Sequence, residues 1–401
     1  MDQNVLDKKN IILIFVDAFR TKNLSLFGYN KETDINLKKI AKENIWFKNH
    51  FSTSNSTAPA LTSVLTGQYP NNHGIIHQLP YTKPEEMSKI GQVKFWLPSY
   101  LKTKGYETMA IDWIGLWFTK GFDFYEEGEK PPSALFSSAH DMTNLAISKI
   151  KQTNKPFFLF MHFWDTHFPF PNTEYTGEGN ESDMESTLNE IKSESQKEYL
   201  KKRMPKAGLY TIQDMVNKYD LSIKNVDKEI GRIYDFLKEQ NLLENTMLII
   251  LGDHGENLTE HGIHFSSSGL YEETVHVPLI MHIPEFEKKE INELVGNIDI
   301  TPTILEYLGL ETEEKLDGKS LFPLLKNNQS IREELILTDG LCEDIKAVRT
   351  KNRKLIVAKN NFCNLCKAGH HKEIEEYDLE KDPGEKVNIY LGVSDLMKFL
   401  R

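Results

Sequence analysis

Three continuous apolar runs organise the chain: Asn10–Asp17 (NIILIFVD), Lys155–His162 (KPFFLFMH) and Thr246–Asp253 (TMLIILGD). Each lacks polar alternation, the pattern of a strand buried on both faces of a parallel sheet, and each ends on a residue able to hold a metal or move a proton. Ligand sites in open α/β sheets gather at the carboxyl ends of strands, so three such ends predict one shared site. Between the runs, apolar residues recur at three- and four-residue spacing over Asn36–Glu43, Lys89–Lys104, His140–Lys151 and Met215–Gln240, which predicts helices. The alternation predicts an α/β fold, a mostly parallel sheet flanked by helices on both faces.

Two segments depart from this pattern. Residues 172–207 are rich in Glu, Ser, Lys and Asn with few large apolar groups, and read as a surface insertion placed to cover the site. After Asp317–Leu325 (DGKSLFPLL) come shorter β-like pieces, EELILTDG, DIKAVRTKNRKLIVAK and EIEEYDLEKDPGE, separated by turn residues. They predict a small C-terminal subdomain with an antiparallel sheet. The expected division is a catalytic domain over 1–325 and a small α+β subdomain over 326–401.

A chain of 401 residues has room for one large core and an annex. No apolar run approaches the roughly 18 residues that span a bilayer, so no membrane span is expected. Acids precede the first apolar run and no small-residue cleavage site follows it, which reads as a leader into a strand. Together with only three cysteines, this leads us to expect a cytoplasmic protein. The formal net charge of -11 opposes binding to a nucleic-acid backbone. A small anionic substrate stays compatible, because a bound cation reverses the field locally.

Asp17 is a lone carboxylate at the end of a buried strand, where an unpaired charge is costly; a metal, a helix cap or Arg20 would each relieve it. Asp253 and His254, in LGDHGEN, offer a hard oxygen and a borderline nitrogen to one divalent ion. Thr57 opens STAPALTSVLTG, whose Pro59 and apolar spacing predict a helix starting there. It reads as an N-cap, or as a hydroxyl nucleophile aimed at an anion on the helix N-terminus. His162, Asp165 and His167, in MHFWDTHFPF, are candidates for the acid that serves the departing oxygen or for oxyanion contacts, or else packed core residues. His261 and His264, in EHGIH, are substrate-binding candidates just beyond the metal pair. Cys363-Asn364-Leu365-Cys366 followed by His370 and His371 has the spacing of a structural zinc site and equally that of a turn with ordinary reduced cysteines.

The ordered set FVDAFRTKNLSLFGY, STAPALTSVLTGQYPNNHGI, KPFFLFMHFWDTHFPF, LGDHGENLTEHG with LYEETVHVPLIM, and YDLEKDPGEKVN resembles the sulfatase family of the alkaline phosphatase superfamily. The resemblance spans nearly the whole chain outside residues 172–207. It implies an α/β domain with a small C-terminal antiparallel sheet. It also implies metal ligands at Asp17, Asp253 and His254, a nucleophile at Thr57 that also touches the metal, and a substrate contact at His167. Many sulfatases carry Cys or Ser, oxidised to formylglycine, in a C/S-x-P-S-R pattern; here it reads Thr57-Ala58-Pro59-Ala60-Leu61. Threonine cannot give that aldehyde because its β-carbon bears a methyl group. Ala18 stands where many members have a second acid, and Ser266–Ser268 where relatives often read DHH. The family's cation before the GFD turn has no clear match, and Lys120 is the nearest.

These readings converge on a hydrolase of phosphate or sulfate esters, tilted toward phosphate, with a Thr57 nucleophile and His167 as acid. One divalent cation is expected, Mn²⁺, Mg²⁺, Zn²⁺ or Ca²⁺, with the ions other than Ca²⁺ favoured by the small ligand set. The rivals are a transferase passing the same Thr57-bound group to an alcohol, and a non-catalytic binding protein on a decayed scaffold.

Overall fold

The computed structural model describes residues 9–129 and 136–400, so the leader reading of residues 1–8 lies outside the described residues. Its centre is an eight-stranded sheet in the order Phe124–Glu126, Glu107–Ile111, Phe157–Phe163, Asn10–Val16, Thr246–Gly252, Leu279–His282, Ile45–Phe47 and Lys289–Ile291. Strand Leu279–His282 runs antiparallel to both neighbours and every other pairing is parallel. The three apolar runs are the central strands, wholly buried.

Side-chain parity sorts the strand residues between two cores. Ile12, Ile14, Val16, Leu159, Met161 and Ile250 pack under helices Ile35–Glu43, Ala139–Gln152 and Ile212–Glu239. Ile11, Leu13, Phe15, Phe158, Phe160, Ile249 and Leu251 face helices Thr57–Thr66, Leu97–Thr103 and Ile300–Leu308. Phe15 pairs with His162, and Val16 with Gly252. Counting on by two therefore places Asp17, His162 and Asp253 together, on the face that carries helix Thr57–Thr66.

The expected helix Lys89–Lys104 is two helices, Pro84–Ile90 and Leu97–Thr103. Gly91 closes the first and Pro98 opens the second, because proline fits the first helical turn. Residues 172–207 are more than a surface insertion. They form helices Glu181–Glu190 and Glu194–Lys201, started by the side-chain caps of Asn180 and Ser193, and they bury Leu188, Ile191, Leu200 and Met204 in the first core.

The C-terminal sheet, Glu334–Thr338, Cys342–Thr350, Arg353–Cys363 and Ile374–Asp378, is antiparallel throughout. It shares a core with the main domain, where Leu335, Ala347 and Ile356 pack with Phe51, Tyr271 and Val275. Lys354, fully buried, seals that junction through Glu272 at 2.7 Å, Glu385 at 2.8 Å and the Leu270 carbonyl at 2.9 Å. Among the described residues no helix is long and apolar enough to cross a membrane.

Burial pushes both His50 and His73 down to about 3. The unfolded chain takes up these protons near 6.5 while the folded chain refuses them, so their contribution to stability is complete above 6.5 and lost progressively as pH falls toward 3. Between pH 7 and 5 each histidine removes about 2 kcal/mol. Urea midpoints measured at the two pH values should fall further in the wild type than in His73→Gln.

Candidate active site

The central strands end at adjacent points, and there the chain places four polar side chains around one spot. Asp17 and Asp253 directly follow their strands and are fully buried, as is His162. His162 Nε2 lies 3.9 Å from Asp17 Oδ2 and 3.7 Å from Asp253 Oδ2. His254 Nε2 lies 3.6 Å from Asp253 Oδ2. From the facing helix, the Thr57 hydroxyl donates to Asp17 Oδ2 at 3.2 Å and sits 3.1 Å from His254 Nε2. Gly255 lets the Asp253–His254 turn close on its neighbour, since a Cβ there would stand 2.0 Å from the Glu273 carbonyl oxygen.

Both imidazoles are turned the same way. His162 Nδ1 is 3.1 Å from Asp112 Oδ1 and His254 Nδ1 is 2.8 Å from the Gly255 carbonyl. Acceptors at both Nδ1 atoms place the proton there, which leaves each Nε2 a lone pair aimed at the carboxylates. Asp17 Oδ1, Asp253 Oδ2 and His162 Nε2 are buried with no hydrogen-bond partner. Burial, then repulsion from Asp253, push the Asp17 carboxyl well above the usual carboxylate range. Ligand atoms of Asp17, Asp253 and His162 lie within 4.8 Å of one another, with His254 Nε2 3.6 Å from Asp253 Oδ2 beside them, a donor set that a divalent cation satisfies.

The substrate-binding candidates divide. His167 lines a cavity of about 270 Å³ that opens on Thr57 and His254. Its Nδ1 is buried without a partner, and burial pushes the ring down to about 4, so it is neutral at pH 7. His162, expected against the substrate, joins the carboxylates instead, because the parity of its strand turns it inward. His261 does not reach this cavity. It stacks on Tyr271 at 3.6 Å, lies 3.3 Å from Glu273 and lines a separate hollow with Lys22 and Glu260. His264 is held by Gln196 at 3.1 Å and is not among the lining residues. Lys120 is exposed at the end of the short turn Leu116–Thr119, its N–H donating to the Trp117 carbonyl at 3.2 Å and its carbonyl accepting from Trp96 at 2.8 Å. Asp165 caps helix Ala139–Gln152 through the Ala139 N–H at 3.0 Å, and burial pushes it up to about 7.

Several lining residues were missed. Gln78 Oε1 accepts the Ala58 N–H at 2.7 Å, so this helix-terminal donor is already occupied. Tyr199 and Arg203, stacked at 3.9 Å, come from the insertion and bring the cavity a cation. Glu256 lines it too, its carboxyl pushed well above the usual range by burial and then by Asp17. Asp112 did carry a signal, because it ends the apolar strand Glu107–Ile111 as Asp17 ends its own.

Of the candidate second metal set, Cys363, Cys366 and His370 come together. His371 does not join them: its Nδ1 pairs with Glu375 at 2.7 Å and its Nε2 accepts the Leu270 N–H at 3.3 Å.

Comparison with known proteins shows the family of the chain. The family model described as Sulfatase matches residues 9–310, and that described as N-sulphoglucosamine sulphohydrolase, C-terminal, matches residues 259–397. The chain belongs to the sulfatase family of the alkaline phosphatase superfamily, a class of ester hydrolases. An N-acetylglucosamine-6-O-sulfatase of Bacteroides thetaiotaomicron is 25% identical over 96% of this chain and 83% of that relative. A structure solved with its substrate D-glucosamine-2-N,6-O-disulfate superposes with a TM-score of 0.71 at 23% identity, over 98% of this chain and 96% of that one. The phosphonate monoester hydrolase of Agrobacterium radiobacter gives 0.69 at 18% identity, over 95% and 91% of the two chains.

Proposed function

We propose that the chain hydrolyses phosphate-type esters through an unmodified Thr57, assisted by a divalent cation held by Asp17, Asp253, His254 and His162. The observation that carries this reading is the Thr57 hydroxyl itself, within 3.2 Å of Asp17 and 3.1 Å of His254 at the floor of the cavity. A cation there would lower the pKa of the hydroxyl and offset the charge on the nonbridging oxygens. His162 supplies the donor that Ala18 lacks.

Thr57 Oγ1, its proton passed to solvent, then forms a bond to phosphorus as the ester P–O bond breaks and the leaving oxygen takes a proton from solvent. The threonyl ester is released when water attacks phosphorus and Oγ1 leaves. His167, neutral and with a nitrogen free, donates a hydrogen bond to the departing oxygen, and the arriving anion favours its protonated form. Arg203 offsets substrate charge at the rim. The names of the relatives point to sulfate and phosphonate esters, and the β-methyl of Thr57, which bars the formylglycine aldehyde, weighs against sulfate.

The test is a panel of aryl phosphate, phosphodiester, phosphonate and sulfate esters with Mn²⁺, Mg²⁺, Zn²⁺ or Ca²⁺ added. We expect a phosphorus ester to exceed the sulfate by at least about tenfold in kcat/KM, which is about 1.4 kcal/mol of transition-state discrimination. Preference for the aryl sulfate would overturn the phosphate assignment.

A further inference from the structure

The C-terminal sheet holds a second cluster that the ester chemistry does not use. Cys342 and Cys363 are cross-strand partners on adjacent antiparallel strands. From Cys363 the chain makes a tight turn: the Lys367 N–H donates to the Cys363 carbonyl at 2.9 Å, and the Cys363 N–H to that of Ala368 at 2.9 Å. Lys367 adopts φ 57, a left-handed conformation that brings the strand back on itself. The turn sets Cys366 beside Cys363 and delivers His370, whose Nε2 is 2.7 Å from Cys366 Sγ. Potential ligand atoms of Cys363, Cys366 and His370 all lie within 4.8 Å of one another.

Two features distinguish this cluster from cysteines that merely fill a core. The Ser268 hydroxyl lies 3.0 Å from Cys363 Sγ, a contact that supports a metal-bound thiolate when the hydroxyl donates. All three cysteines of the chain meet here, each buried and free of disulfide.

We infer that Cys342, Cys363, Cys366 and His370 form a tetrahedral structural zinc site, with Cys342 in the place first given to His371. The spacing Cys-x2-Cys-x3-His with one strand-borne Cys suits a closed site with no open position for water. Ligand atoms around such an ion stand roughly 3.5–3.8 Å apart, so the close Cys366–His370 pair opens as zinc enters. Each ligating thiol gives its proton to solvent. The site would staple two walls of the substrate cavity: Leu341 and Leu365 flank its cysteines on one side, and Ser268 joins it to Ser266 and Ser267 on the other.

The experiment is elemental analysis and cobalt substitution on protein purified under reducing conditions in an Asp17→Asn, Asp253→Asn background, which disables the catalytic site. We expect one zinc per chain, exchangeable for cobalt with a thiolate-to-cobalt charge-transfer band. That band should vanish in Cys363→Ser with Cys366→Ser, weaken in Cys342→Ser and persist in His371→Ala. Full zinc in the double cysteine variant, no metal in the parent, or a Cys363–Cys366 disulfide in its place would each overturn the site. Circular dichroism on each variant separates metal loss from failure to fold.

Discussion

Thr57→Ala should leave a folded, metal-binding protein whose turnover falls by roughly 10⁴- to 10⁶-fold, the scale on which loss of a nucleophile registers in covalent catalysis. The variant keeps Asp17, Asp253, His162 and His254, so its metal content should match the wild type. Its helix should survive, because alanine is the best helix former and the position lies inside the first turn rather than at the cap. The competing explanation of Thr57, a structural cap, makes a different prediction. A lost cap costs about 1 kcal/mol of stability and leaves turnover intact. Geometry already tells against the cap: Ser56 occupies that position, neither side chain caps the helix, and the Thr57 hydroxyl is turned to Asp17 and His254. Thr57→Ser should retain a substantial part of the rate, since the hydroxyl stays. Initial rates on the best ester of the panel, with metal content measured on the same preparations, decide between the two.

How far the fold could be read in advance depended on what each segment buries. The central strands were legible because burial on both faces leaves an unbroken apolar run, and Asp17 and Asp253 stand out at the ends of such runs. Helix Ile212–Glu239 was legible for the opposite reason, one face being polar along its whole length. The insertion read as surface alone because short helices need few anchors. Leu188, Ile191, Leu200 and Met204 bind it to the core, while its polar faces dominate the composition. Lys89–Lys104 read as one helix because apolar spacing continues across a break that Gly91 and Pro98 impose on the backbone.

The site was legible where residues end strands and illegible where it depends on which distant elements meet. Lys120 was chosen for its nearness in sequence to a turn, and the turn places it on the outer surface. His261 and His264 follow Asp253 closely, yet the chain swings away after the Asp253–His254 turn and sends them to Tyr271 and Gln196. Arg203 carried no signal at all, since a basic residue in a charged insertion looks like any solvated one.

His162 is the most informative of these cases, and its replacement is the second large effect we expect. His162→Gln should raise the metal concentration needed for half-maximal activity by about 100-fold or more, since losing a ligand should exceed the 10- to 100-fold typical of losing a ligand's outer partner. Asp112→Asn should raise it by about 10- to 100-fold, because a partner of the other ring nitrogen fixes the tautomer that presents Nε2. The alternative is that His162 is a core histidine packed against Trp164, whose ring centroid lies 4.4 Å away. In that case both substitutions would lower the unfolding midpoint and leave the metal titration of activity unchanged. The unpartnered Nε2 argues against it: a buried imidazole nitrogen facing two carboxylates, with no hydrogen bond of its own, is costly unless something positive binds between them. Ala18 sharpens the point, because a chain with one carboxylate fewer at the first strand end needs a donor from elsewhere. The neighbouring parallel strand is the nearest element that can provide one on the same face. Activity titrated with Mn²⁺ and Zn²⁺ after chelator treatment, for the wild type and both variants, separates a ligand from a packing residue.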